Sequence, residues 1–310
     1  MLEVVELTKR FKNKEAVKGI NFYMEKGETV GLLGPNGAGK STTISMISSL
    51  VRPTTGDVRL KNESVLKHPE KMRRILGVVP QDIALYMDLT ARENLEFFGR
   101  IHRIKKNELK DRVENVLDII GLKDREKDLV KTFSGGMKRR LNIGVALLHE
   151  PELIIMDEPT VGIDPQSRNY ILETVKRLNR EQNISVLYTS HYMEEVEYLC
   201  DRIYIMDHGE IIASGTKEEI KSILSQEQTI VIQVEILKGE YLQLLEQLPN
   251  IRSMSIKDPI IKVIVPKKIN ILNDVFKMAE ETNTNISSVQ IETPTLEDVF
   301  LHLTGRQLRD

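Results

Sequence analysis

Apolar positions along the chain keep two rhythms. Short unbroken apolar runs recur at 29–33 (TVGLL), 75–79 (ILGVV), 153–156 (LIIM) and 185–189 (SVLYT). Runs of this kind predict strands buried on both faces, as in a parallel sheet. Other stretches repeat at helical spacing: Leu109, Val113, Val116, Leu117 and Ile120 predict a helix over 107–120, ended by Gly121. Thr90-Ala91-Arg92-Glu93 matches a capping box that opens a helix through Phe98. From about residue 90 to 148 the pattern is nearly all helical. The simplest description is a helical insertion, about residues 83–150, within an α/β core. Further helices are predicted over 165–183 and 193–199, and short strands at 2–8, 20–24, 203–206 and 210–213.

Near Ser225-Gln226-Glu227-Gln228 the composition turns polar. We place a domain boundary there, giving 1–225 and 226–310. Beyond it the pattern predicts a strand over 229–236, a helix over 241–248, and strands at 251–256 and 260–265 joined by a turn at Asp258-Pro259. A helix over 269–281, a strand over 286–291 and a last helix over 295–303 complete the chain. The order βαββαβ suits a small α+β domain of the ferredoxin-like, split βαβ kind. No repeat of 20–50 residues is present.

Residues 34–41, GPNGAGKS, come after the first apolar run and precede a helical pattern, TTISMI. They fit G-x-x-x-x-G-K-[ST] at every fixed position: Gly34, Gly39, Lys40 and Ser41. Glycines let the backbone turn tightly and aim successive N–H groups inward. The helix start adds its positive end. The phosphate-binding candidates are therefore Gly34, Pro35, Asn36, Gly37, Ala38, Gly39, Lys40, Ser41 and Thr42. Lys40 would reach the β- and γ-phosphates, and Ser41 would ligate Mg²⁺. Hydrolysis also needs a metal-side carboxylate and a group that orients water. Asp157 and Glu158 come directly after the run LIIM, so a strand end would hold both rigidly. Asp157 is expected to hold Mg²⁺, directly or through water, and Glu158 to act as general base facing the γ-phosphate.

Composition narrows the class. The 310 residues are 40% hydrophobic and 29% charged, enough for a globular core and, by length, about two domains. With 44 basic and 46 acidic residues the net charge is −2, so there is no global pull toward nucleic acid or an anionic membrane. The single cysteine, Cys200, excludes an intramolecular disulfide and a Cys-rich metal site, and reads as a buried thiol in YLCDRIYIM. No stretch reaches the roughly 18 uncharged apolar residues of a membrane span. The opening MLEVVELTKRF lacks a signal peptide's apolar region. An intracellular protein is expected, reaching a membrane only through a partner.

With these motifs in place, residues 1 to about 222 resemble the nucleotide-binding domain of an ATP-binding cassette (ABC) transporter. Phe133-Ser134-Gly135-Gly136-Met137 resembles that family's signature, usually L-S-G-G-Q. Phe133 and Met137 depart from it, and Met137 cannot make glutamine's polar contacts; the Ser-Gly-Gly centre is intact. The resemblance implies a P-loop NTPase cassette with a helical subdomain that binds ATP and Mg²⁺ and hydrolyses ATP. It implies that Ser134, Gly135 and Gly136 meet the γ-phosphate of ATP bound to the opposite subunit. Gln81 resembles the Q-loop glutamine, which senses Mg²⁺ and water. His191 resembles the switch histidine that bonds the γ-phosphate and positions Glu158. Asp164, in VGID, resembles the D-loop residue of the dimer contact. Phe11 resembles the aromatic that stacks on adenine, where tyrosine is commoner. ATP would then act as glue between two cassettes, identical or paralogous, until hydrolysis releases them.

The same resemblance has the helical insertion offer a groove to a membrane partner's cytoplasmic helix. Leu85, Tyr86, Met87, Leu95, Phe97 and Phe98 either line that groove or belong to the core. The stretches TPTLEDVFLHLTGR and FSGGMKRRLNIG resemble bacterial drug- and antibiotic-export ATPases that work with ABC-2-type permeases, including those giving resistance to daunorubicin or linearmycin. This implies an efflux ATPase at the cytoplasmic face of the membrane, held there by its permease, with no nucleic-acid partner. The rival is a soluble cassette protein acting on ribosomes or DNA. Such proteins usually carry two cassettes or a long coiled-coil insertion, and this chain shows neither. Residues 226–310 lack a catalytic constellation; dimer support, regulation or passive stabilisation are the roles open to them.

Overall fold

The computed structural model describes residues 1–12, 14–190, 192–224, 226–292 and 294–305. Within them the chain forms two compact units, Met1–Ser214 and the residues from Gly215 onward. In chain order the first runs β1 (Leu2–Phe11), β2 (Lys14–Met24), β3 (Thr29–Leu33), α1 (Lys40–Ile47), β4 (Thr55–Leu60), β5 (Glu63–Ser64), α2 (Pro69–Ile75) and β6 (Leu76–Val79). Then come α3 (Ala91–Ile101), α4 (Lys106–Ile119), α5 (Gly135–Leu147), β7 (Leu153–Asp157), α6 (Pro165–Gln182), β8 (Ser185–Thr189), α7 (Met193–Leu199), β9 (Arg202–Asp207) and β10 (Glu210–Thr216).

The apolar runs become β3, β6, β7 and β8. They pair in parallel, with β9, in the order β9-β3-β8-β7-β6, and β10 lies beside β9. Every residue of β3 and β8 is buried, which is why neither run alternates. A second, antiparallel sheet runs β2-β1-β4-β5. Its inward residues Leu2, Val4, Leu7, Phe22 and Val58 share one core with Val30, Leu32, Ile155 and Leu187 of the parallel sheet. Because β3, β7 and β8 are parallel, their carboxyl ends share an edge. The loops leaving that edge carry residues 34–39, 158–164, and Ser190 and Tyr192, the position where open α/β sheets bind ligands.

Helices α3, α4 and α5 pack on one another as the expected insertion. Thr90 and Glu93 form the capping box at the start of α3. Two details depart from the sequence pattern. Ile75 ends a helix, α2, and the strand starts one residue later. Strand β2 begins at Lys14, well ahead of the expected 20, because it pairs along nearly the whole of β1.

The second unit comprises α8 (Lys217–Ser222), β11 (Glu227–Val234), α9 (Gly239–Glu246), β12 (Ser253–Lys257), β13 (Ile260–Pro266), α10 (Leu272–Glu281), β14 (Ile286–Glu292) and α11 (Leu296–Thr304). Its antiparallel sheet has the order β12-β13-β11-β14, the ferredoxin-like arrangement that βαββαβ implied. Alternate residues Ile230, Ile232 and Val234 meet Tyr241, Leu245 and Val275 in its core. The unit starts at Gly215, earlier than the polar stretch around Ser225. Helix α8 packs on α11 and buries Ile220, so it belongs to the second unit.

Candidate active site

The glycine loop leaves the end of β3 and closes at α1. At Gly34 a Cβ would lie 2.2 Å from the Met206 carbonyl oxygen, so no larger residue fits. Gly39 has φ 111, and its Cβ would lie 2.6 Å from the Ala16 carbonyl oxygen. Gly39 is also the N-cap of α1 and makes no side-chain cap, which leaves first-turn amides available to an anion. Lys40 is buried, and its Nζ donates to the carbonyls of Gly34 at 2.7 Å and Pro35 at 3.2 Å. The loop thus wraps its own lysine. Burial holds the Lys40 pKa below the ordinary lysine value, and the charges of Glu158 and Asp157 oppose that shift.

Both acids stand at the end of β7. Thr189 lies opposite Asp157 on the neighbouring β8. Its hydroxyl donates to Asp157 Oδ1 at 2.8 Å and accepts the Glu158 N–H at 2.9 Å. One hydroxyl therefore holds the Asp157 carboxylate and the backbone of Glu158. Burial pushes the Asp157 carboxyl up, as does the Glu158 charge; hydrogen bonds from Thr189 and Ser41 and the charge of Lys40 pull it back. Glu158 is only 7% exposed and has φ 49, a left-handed conformation uncommon outside glycine. Its Oε2 accepts from Gln81 Nε2 at 3.1 Å. Gln81 in turn is held by Arg139 of α5, whose guanidinium donates to the carbonyls of Pro80 at 2.6 Å and Gln81 at 2.5 Å.

These groups border a cleft of about 660 Å³ lined by Phe11, Lys14, Ala16, residues 36–42, Gln81, Glu158, Val161 and Tyr192. Phe11 is 48% exposed and so is not a core residue. Gly34, Pro35 and Asp157 do not line the cleft: the first two hold Lys40 by their carbonyls, and Asp157 is bonded by Thr189 and Ser41. Four candidates are not brought to this cleft. Ser134 caps α5, accepting the Met137 N–H at 3.2 Å, with Gly135 and Gly136 beginning the helix. Asp164 caps α6, accepting the Ser167 N–H at 2.9 Å. Ser134 and Asp164 are both exposed, and the two helix starts touch: a Cβ on Gly136 would lie 2.0 Å from Ser167 Oγ. They form a separate outward-facing cluster. His191 lies outside the described residues.

Three positioning groups were missed from the sequence. Thr189 could have been found, since it ends a buried strand next to the one that delivers the acids. Arg139, inside KRR, and Glu195, inside MEEVEY, are buried charges among similar exposed ones, and no local pattern distinguishes them.

Comparison with known proteins agrees along the whole chain. A family model described as "ABC transporter" matches residues 17–161. A model described as "ATP-binding protein DrrA1-3-like, C-terminal domain" matches residues 215–304. The chain is 48% identical over 312 residues to the linearmycin resistance ATP-binding protein LnrL of Bacillus subtilis (strain 168), covering 100% of each. It is 33% identical to the daunorubicin resistance ATP-binding protein DrrA3 of Streptomyces coeruleorubidus, covering 97% of this chain and 95% of that one. Among solved structures it resembles the dimeric, post-hydrolysis ATP-binding cassette MJ0796 bound to ADP and Pi. That match has a TM-score of 0.64 and 28% identity, and covers 70% of this chain and 98% of the other.

Proposed function

The chain belongs to the ATP-binding proteins of ABC transporters, and from that premise we propose that it powers a bacterial antibiotic or drug exporter whose ABC-2-type permease is a separate membrane protein. As a member of its family it binds ATP and is an ATPase. In this reading adenine stacks on Phe11, and the phosphates lie against residues 34–42. Lys40 exchanges its loop carbonyls for the β- and γ-phosphates. Ser41, Asp157 and Gln81 offer hydroxyl, carboxylate and amide oxygens, a hard donor set suited to Mg²⁺, which would neutralise phosphate charge. Glu158 takes the proton of the attacking water, with His191 beside the γ-phosphate. The observation that carries this reading is the hydrogen-bonded chain Gln81–Glu158–Thr189–Asp157 at the rim of the glycine loop.

Ser134, Gly135 and Asp164 are exposed, with Gly136 buried behind them against Ser167, so each chain offers this cluster to the nucleotide of a second cassette. ATP then joins two copies or two paralogues, and hydrolysis parts them, a bistable switch set by the γ-phosphate. No helix among the described residues is long and apolar enough to cross a membrane. The permease would be met on the helical insertion. There Leu95 is core, but Tyr86 and Phe97 are 50% and 37% exposed and pack edge to face with centroids 4.7 Å apart. This patch favours the docking role over the core role for those two residues. The chain would sit at the cytoplasmic face, held by that contact.

Glu158→Gln tests the catalytic assignment. It should bind ATP, trap an ATP-bound dimer on gel filtration and release little phosphate. Steady-state hydrolysis at the wild-type rate would overturn the role given to Glu158. Purification from membranes should recover multi-span permease subunits; recovery of ribosomes instead would favour a soluble cassette.

A further inference from the structure

Glu195, in α7, has none of its surface exposed. A buried carboxylate is costly unless it is paired and hydrogen-bonded. Here Oε2 accepts from Thr160 Oγ1 at 2.9 Å, Tyr188 OH at 2.8 Å and Ser190 Oγ at 2.6 Å. Oε1 accepts from Arg168 Nε at 2.6 Å. It does not line the nucleotide cleft.

Its partners lie on segments with separate tasks. Thr160 is two residues beyond Glu158. Ser190 sits between Thr189 and position 191, and its hydroxyl also accepts the Tyr192 N–H at 2.9 Å. Arg168 is one helical turn beyond Asp164 and donates its own N–H to the Asp164 carbonyl at 2.9 Å. The Arg168 guanidinium also covers the Tyr192 ring at 4.1 Å. One carboxylate therefore joins the hydrolytic loop, Ser190 with its partner Tyr192, and the outward-facing start of α6.

We propose that Glu195 is a positioning residue for ATP hydrolysis, tying these three segments into one body so that a second cassette pressing on Asp164 sets the placement of Glu158. The inference rests on the dimer reading of the proposed function. Its physical basis is the left-handed backbone of Glu158, a conformation that persists only where the surroundings over-determine it. Releasing Thr160 and Ser190 from Arg168 would let that placement drift.

The test uses the purified full-length chain. Glu195→Gln puts an amide N–H against donors, so at least one partner is lost. Its kcat should fall on the order of tenfold to a hundredfold, the scale of a roughly 1 Å misplacement. KM for MgATP should stay within about twofold. In a Glu158→Gln background the ATP-dependent dimer should still form. Arg168→Gln should act in the same direction, Arg168→Lys should recover most of the rate, and the double variant should be little slower than the slower single one. Wild-type kcat in folded Glu195→Gln overturns the inference. So does a loss in which KM rises while dimerisation and melting temperature fall together, since that marks a merely structural residue. Should Glu195→Gln not fold, Thr160→Val and Ser190→Ala each remove one donor, and unchanged kcat in both is equally fatal. Failure of Glu158→Gln to dimerise with ATP would strike the dimer reading instead, whatever Glu195→Gln does to kcat.

Discussion

Thr189 holds the Asp157 carboxylate and the backbone of Glu158 with one hydroxyl, and its removal has a predictable sign. Thr189→Val keeps the shape but leaves the Glu158 N–H and one Asp157 oxygen short of a partner, at a cost of about 1–3 kcal/mol. The lost hydrogen bond was holding the Asp157 pKa down, so that pKa should climb further. The acid limb of the kcat–pH profile should move to higher pH, and the melting temperature should fall. An unmoved acid limb would mean that Asp157 does not control it. His149 offers a second pH test. Burial, the charge of His102, whose ring stacks on it at 4.1 Å, and the charge of Arg112 bring its pKa down to about 4 from 6.5, against a hydrogen bond to the Leu76 carbonyl. Below pH 6.5 the unfolded chain takes up a proton that the folded one refuses. Stability therefore declines as pH falls from 6.5 to about 4 and is unaffected by this group above that window. After allowance for its partial exposure the loss is on the order of 2 kcal/mol. Urea midpoints taken near pH 5 and near pH 7.5 should differ less in His149→Gln than in the wild type.

At the scale of elements, the strands that carry the site were legible because burial on both faces writes itself as an unbroken apolar run. The glycine loop was legible because its fixed positions answer to close contacts, Met206 O at Gly34 and Ala16 O at Gly39. What could not be read is long-range. Nothing in MEEVEY says that Glu195, and not Glu194 or Glu197, turns inward. Nothing near Lys217 says that α8 joins the second unit, because its partner α11 lies far along the chain. The contact between α5 and α6 is of the same kind. Gly136 looks like a flexible signature residue, yet its Cα lies against Ser167, whose Oγ and Cβ would be 2.0 and 2.4 Å from an added Cβ. Gly136→Ala should therefore part the two helix starts, cost about 1–3 kcal/mol, and weaken ATP-driven dimerisation while nucleotide binding to the glycine loop is kept. Ser167→Gly in the same chain should restore part of the dimerisation. Loss of nucleotide binding to the Gly136→Ala monomer would show instead that the damage spreads to the cleft.

At the scale of the whole molecule, each unit has its own hydrophobic core, around the sheets in the first unit and around Tyr241, Val275 and β11 in the second. Every residue lining the nucleotide cleft belongs to the first unit. Ligand binding stabilises only what it binds, by about 2.7 kcal/mol at a hundred times Kd. Calorimetry of Glu158→Gln, which should hold ATP without consuming it, is then expected to show two transitions, of which MgATP raises one. Tyr241 identifies the other. It is fully buried, its hydroxyl donates to the Val275 carbonyl at 3.3 Å, and burial pushes its pKa up to about 12. Tyr241→Ala should cost roughly 3–5 kcal/mol and lower the ATP-insensitive transition alone, with hydrolysis per folded chain unchanged. If MgATP and Tyr241→Ala both move a single transition, the two cores unfold together. The second unit would then share directly in the stability that nucleotide confers, and dimer support or regulation would become the better account of it than passive stabilisation.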